Sequence, residues 1–102
     1  MATQLIHPPA TDLELAPVLH ALSDPVRLTI VRTLADEGER RCGTFEVAVA
    51  KSTLSHHFRV LREAGVTLTE PRGTQRVVSL RREDLDARFP GLLDTVLAAA
   101  AR

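Results

Sequence analysis

Five polar side chains between Lys51 and Gly65 recur at a spacing suited to reading a nucleic acid. Ser52, Ser55, His56, Arg59 and Arg62 fall at i, i+3, i+4, i+7 and i+10, which is one face of a helix. The face offers hydroxyls, an imidazole and guanidinium groups, and Glu63 is the only acid from Lys51 to Gly65. The edges of bases in a DNA major groove present donors and acceptors that such groups can meet, and Arg can take a guanine through two hydrogen bonds. A face built only for solubility more often mixes Glu with Lys. On the other side, Leu54, Phe58 and Leu61 form an apolar stripe that has to be buried. The spacing predicts a helix over Lys51–Ala64 that opens with Lys51, Ser52 and Thr53 and stops at Gly65, a residue that tolerates the left-handed conformation.

Other residues carry chemistry of a weaker kind. Cys42 is the single cysteine, so it cannot close an internal disulfide or build a Cys-rich metal cage. One reading makes it a redox switch, with Arg40 and Arg41 favouring the thiolate and a second subunit supplying a partner thiol. The other makes it a small buried side chain beside a turn. His56 and His57 project about 100° apart on a helix and cannot readily share a metal. His56 is assigned to DNA and His57 to packing or hydrogen bonding within the fold. His7 and His20 could join Asp12 or Asp24 in an N-terminal metal site, or simply be solvated. Glu83, Asp84 and Asp86 sit where a helix should begin, and acids there complement the helix dipole. Arg27 is expected to pair with an acid of its own fold. Ser55 and His56 lack the turn that exposes a catalytic nucleophile. No catalytic constellation is found, so the chain is not expected to be an enzyme and no cofactor is implied.

Composition narrows the partners. The chain has 102 residues, enough for one domain. Its formal net charge is zero, but the charge is segregated. Residues 51–82 carry seven basic side chains and two acidic ones, net +5, while residues 1–50 carry −3 and residues 83–102 carry −2. A basic middle between acidic flanks is either an electrostatic footprint for nucleic acid or an uneven solvated surface. The only aromatics are Phe45, Phe58 and Phe89, which argues against a base-stacking platform for single strands. No stretch reads as a signal peptide or reaches membrane-span length, so a cytoplasmic location is expected.

These residues need a scaffold. Residues 1–11, with His7-Pro8-Pro9 and no periodicity, read as a flexible N-terminal arm, and residues 12–102 as one domain. Asp12 is placed to cap a first helix reaching about Leu22, with Pro17 bending it or marking its true start. Asp24 and Pro25 open a second helix with Val26, Ile30, Val31 and Leu34 on its apolar side, and Gly38 stops it. Between Glu39 and Ala50, Phe45, Val47 and Val49 alternate as in a strand, although a short helix is equally compatible. After Gly65 the pattern gives a strand, a turn and a strand. Val66 and Leu68 share one face, as do Val78 and Leu80. The tip, Arg72-Gly73-Thr74-Gln75-Arg76, can reach DNA flanking the helix. Helix then closes the chain, with Pro90 near the start of its main segment. A mostly helical chain with a basic helix followed by a basic hairpin is the layout of a winged helix-turn-helix.

"ALSDPVRLTIVRTL", "STLSHHFRVLREAGV" and "RGTQRVVSL" together resemble the ArsR/SmtB family of winged-helix transcriptional repressors, from about Leu13 to Leu97. The resemblance implies a homodimer that binds an inverted-repeat operator and is released by an inducer, of unknown identity, whether a small molecule or a redox agent. It also implies a dimer interface on the first and last helices, here on Leu15, Val18, Leu19, Leu92, Leu93, Val96 and Leu97. Three departures stand out. The segment before the recognition helix is short and not plainly helical. Ala50 stands where a Ser or Thr cap is usual, unless Ser52 caps a later start. Metal-sensing ligand sets are absent: Arg41 and Gly43 flank Cys42, and no His follows His57. A winged-helix module for protein interaction, without specific DNA binding, is the alternative reading.

Overall fold

The computed structural model describes residues 5–101. The first helix, α1, is Leu15–Ala21. Pro17 is its third residue, in the first turn, where backbone N–H groups have no intrahelical partner anyway. The proline therefore marks the true start. Asp12 is not the expected cap; it closes a short 3₁₀ turn, Ala10–Asp12, and Glu14 precedes α1 without a side-chain cap. The second helix, α2, is Pro25–Glu37. Asp24 caps it by accepting hydrogen bonds from the N–H groups of Val26 (2.8 Å) and Arg27 (3.1 Å). Ile30, Val31 and Leu34 enter the core as their spacing requires.

The ambiguous patch resolves into neither a strand over Phe45–Val49 nor an α-helix. Strand β1 is Arg40–Arg41, followed by a 3₁₀ turn, Cys42–Thr44, and irregular chain up to Ala50. Packing substitutes for regular structure there. Phe45 lies edge-on against Phe58, with ring centroids 5.3 Å apart, and the Arg40 guanidinium covers the Phe45 ring 5.3 Å from its centroid.

Helix α3 is Lys51–Ala64. It begins without a side-chain cap at Ala50, and Ser52 lies inside it rather than before it. Its end is sharply defined. Gly65 adopts φ 86°, its N–H donates to the Arg62 carbonyl, and the Val66 N–H donates to the Leu61 carbonyl. A Cβ at Gly65 would collide with the Leu13 side chain, so glycine is required by packing as well as by φ.

Strands β2, Thr67–Arg72, and β3, Gln75–Leu80, form an antiparallel hairpin, and β1 pairs with the far side of β3, giving the order β1-β3-β2. Gly73, at φ 62°, and Thr74 make a two-residue turn. Pro71 is tolerated because β2 is an edge strand. The inward face of β2 differs from expectation: Thr67 and Thr69 are buried, opposite Leu80 and Val78, while Leu68 is half-exposed. Val66 is buried ahead of the strand. Helices α4, Arg82–Arg88, and α5, Leu92–Ala100, complete the fold. Glu83 and Asp84 lie in the first turn of α4, as the dipole argument requires.

The described part of residues 1–11, expected as a free arm, lies against the domain. His7 Nε2 accepts from the Thr69 N–H on the edge of β2 (3.0 Å), and Arg81 donates to the Pro8 carbonyl (2.7 Å).

Candidate nucleic-acid interface

Helix α3 divides as its periodicity demands. Phe58 and Leu61 are buried and Leu54 half-buried, while Lys51, Ser52, Thr53, Ser55, His56 and Arg59 are exposed. Arg62 is half-buried at the far end. On the exposed face Arg59 donates to His56 Nδ1 (3.2 Å) and has Glu63 within 3.9 Å, so the guanidinium is held loosely and remains accessible.

The helix is fixed from below by a residue whose partners differ from expectation. Arg27, on α2, is 6% exposed and, among the described residues, makes no ion pair with an acid. Its guanidinium donates to the carbonyls of Ala21 (2.8 Å) and His20 (3.1 Å) and to His57 Nδ1 (3.1 Å). A guanidinium only donates, so Nδ1 accepts and the His57 ring proton sits on Nε2. Asp24 Oδ2, farther away at 3.8 Å, completes the cluster. Arg27 thus ties the end of α1 to the underside of α3. His57 serves packing and hydrogen bonding while His56, its neighbour, faces solvent.

The hairpin tip stands beside this face, and Thr74, Gln75 and Arg76 are exposed. Arg72 is exposed but engaged. It forms a two-pronged ion pair with Glu39, at 2.6 and 3.0 Å. The Arg72 hydrogen bond holds the Glu39 carboxyl below the usual range. A polar, acid-poor helix beside a basic two-stranded wing is the geometry of winged-helix DNA-binding proteins.

Comparison with known proteins agrees. Residues 22–70 match a helix-turn-helix domain family. The chain is 42% identical over 84 residues to the HTH-type transcriptional regulator YceK of Bacillus subtilis, spanning 79% of this chain and 84% of that one. The crystal structure of the transcriptional repressor BigR from Xylella fastidiosa superposes with a TM-score of 0.59 at 34% identity, over 72% of this chain and 84% of that chain. An ArsR family transcriptional regulator, RHA00566, shares the fold alone, at TM-score 0.63 and 20% identity, over 85% of this chain and 97% of the other. The chain belongs to the ArsR/SmtB family of winged helix-turn-helix transcriptional regulators.

As an ArsR/SmtB protein it departs from its relatives' expected apparatus in three places. First, the helix that should precede the recognition helix is replaced by the 3₁₀ turn and irregular chain described above. Second, Cys42 is not activated by its sequence neighbours. Burial pushes the thiol up, and the guanidinium groups of Arg76 and Arg62 only partly oppose it. Arg40 is turned away, onto Glu37 and the Thr44 carbonyl. Third, His7 is spent on the β2 edge and His20 is exposed, and among the described residues no group of three or more His, Cys, Asp or Glu is placed to hold a metal.

The expected dimer row divides in two. Val18 (0% exposed) and Leu93 (2%) lie in the core of the protomer itself, where they cannot face a partner. Leu15 (47%) and Leu19 (44%) are exposed, and Leu92, Val96 and Leu97 are half-buried. The spacing on α1 placed Val18 beside Leu15 and Leu19. Val18 lies about 60° from Leu15 and about 100° from Leu19 around the helix, on the side turned to the core. Sequence reasoning missed Glu39 and the inward-facing Thr69. Neither residue carries a local pattern that points across the fold.

Proposed function

We propose that the protein is a homodimeric repressor that binds an inverted-repeat operator, with α3 in the major groove and the hairpin on the flanking backbone or minor groove. One observation carries this reading: the exposed, acid-poor face of Lys51, Ser52, Thr53, Ser55, His56 and Arg59, next to the free wing residues Thr74, Gln75 and Arg76. Serine, threonine and arginine side chains can contact base edges or phosphates, and the clustered cations supply salt-dependent affinity. Arg62 supports the same face from its half-buried position. The exposed leucines of α1, with the half-buried Leu92, Val96 and Leu97 of α5, supply apolar surface for a two-fold partner, which would set two recognition helices about 34 Å apart.

An inducer that frees the operator completes the reading. Oxidation of Cys42 is one such trigger, and Cys42→Ser would abolish an oxidant response that depended on it. The raised thiol makes that response slow at neutral pH.

The test is fluorescence anisotropy of labelled DNA from upstream of the coding sequence, titrated with protein across a range of salt. Tight binding that falls steeply with salt and exceeds binding to unrelated duplex is expected. Equal binding to any duplex would instead favour a module for protein interaction.

A further inference from the structure

A cavity of ≈ 320 Å³ opens in the seam between α3 and the wing. Its volume lies at the small end of the range of about 300–1,000 Å³ found for ligand pockets. Lys51, Arg62 and Arg76 line it, together with Leu54, Phe58 and Thr69. Among the described residues, none of these three cations makes an ion pair. Arg62 and Arg76 both act on the Cys42 thiol, which also lines the cavity, so their charges converge there from two different elements. The interior side is apolar, formed by Leu54 and Phe58.

One polar group in the seam has no partner among the described residues. Thr69 is 3% exposed, and its hydroxyl is buried without a hydrogen bond. A buried hydroxyl left unsatisfied costs about 1–3 kcal/mol. It is compensated if a bound acceptor reaches it.

We propose that this seam binds a small organic monoanion, a carboxylate carrying an apolar body, and that its occupation opposes DNA binding. The carboxylate meets Arg62, Arg76, Lys51 and the Thr69 hydroxyl, while the apolar body lies on Leu54 and Phe58. A phosphate of duplex DNA carries the same charge but is tethered to a broad backbone, and it cannot follow the seam down to the nearly buried Phe58 and Thr69. Competition arises because Lys51, Ser55 and Arg76 border the cavity and also belong to the surface assigned above to the operator. A bound anion withdraws those donors and repels the approaching phosphates. This competition rests on the operator-binding reading, whereas the ligand binding does not.

The first arm of the test contains no DNA. Sodium benzoate is titrated into ¹⁵N-labelled protein at constant ionic strength, with benzyl alcohol as the neutral probe and inorganic phosphate as the anion without an apolar body. Saturable amide shifts at Thr69, Phe58 and Cys42 are expected for benzoate, with affinity about tenfold weaker for benzyl alcohol, the loss of one charged contact. Thr69→Val keeps the β-branched shape and should lose benzoate affinity several-fold. Arg62→Gln, at the half-buried far end of the polar face of α3, gives a second reading if Thr69→Val disturbs folding, and should lose about tenfold. No saturable shift, or equal binding of benzyl alcohol, overturns the proposal. Phosphate binding as tightly as benzoate at the same amides would make the seam a seat for DNA backbone and would also overturn it. In the second arm, saturating benzoate is expected to weaken operator binding about tenfold in the parent, the cost of one lost charged contact, and less in Thr69→Val. Unchanged DNA affinity with the seam filled would overturn the competition.

Discussion

Helix α3 is held from beneath and the wing is held from the side. Under α3, a buried arginine spends its donors on two carbonyls and on His57, so nothing on the exposed face is used to fix the helix in place. The wing has no such support. Its first tip arginine, Arg72, is itself bound to Glu39, and only Arg76 is left unpaired among the tip cations described. The two regions carry similar charge, yet the helix keeps its reading residues free while the wing gives up one. Positioning by a buried residue is costlier to build, but it separates the scaffold from the reading surface.

That contrast can be broken from the helix side with the largest effect. Arg27→Ala should strand the buried Ala21 carbonyl and His57, costing about 3 kcal/mol of stability, read as a lower denaturant midpoint. DNA binding should fail with it. An unchanged midpoint would mean that α3 is held by its apolar stripe alone. Ala50→Ser should act in the opposite direction. It supplies the missing cap at the start of α3 and should stabilise by about 1 kcal/mol, seen in the same denaturation experiment.

The wing side should respond more weakly. Glu39→Gln releases Arg72 while leaving the fold intact. The expected result is tighter DNA binding and a salt dependence steeper by about 0.9 in slope, the signature of one added phosphate contact. An identical slope would place Arg72 out of reach of DNA. The smallest effect belongs to the clasp at His7. Burial, and then the nearby Arg62 and Arg81, lower its pKa from 6.5, so the folded state favours the neutral ring that accepts from Thr69. The sign follows directly. The clasp's stability is full above 6.5 and is lost as pH falls through the lower folded value. Exchange of the Thr69 amide proton, corrected for its intrinsic pH dependence, should lose protection over that fall in parent protein. In His7→Ala it should show no such loss.

Much of the fold is legible in local sequence. Asp24-Pro25 and Gly38 bound α2, and Gly65 ends α3, because each residue has a local backbone reason to be there. The i, i+4, i+7 stripe fixed which face of α3 would be free. The rest depended on distant partners. Strand β1 has two residues, too few to show a period, and exists only because β3 offers an unpaired edge. The chain from Phe45 to Ala50 is held by a ring packed on Phe58, which alternation cannot reveal. Thr67 and Thr69 turn inward where hydropathy favours Leu68, so the buried face of β2 runs against its sequence pattern. At the site, the exposed cations were legible, but the engagement of Arg72 by Glu39, 33 positions away, was not.

The most direct measurement compares operator with scrambled duplex for the parent, Arg59→Ala and Arg72→Ala at a single salt concentration. The account predicts that the parent prefers the operator strongly. Arg59→Ala should lose about 1–3 kcal/mol of that preference, and Arg72→Ala should keep it. A parent with no preference, or a preference lost with Arg72 and kept without Arg59, would contradict the assignment of α3 as the element that reads the DNA.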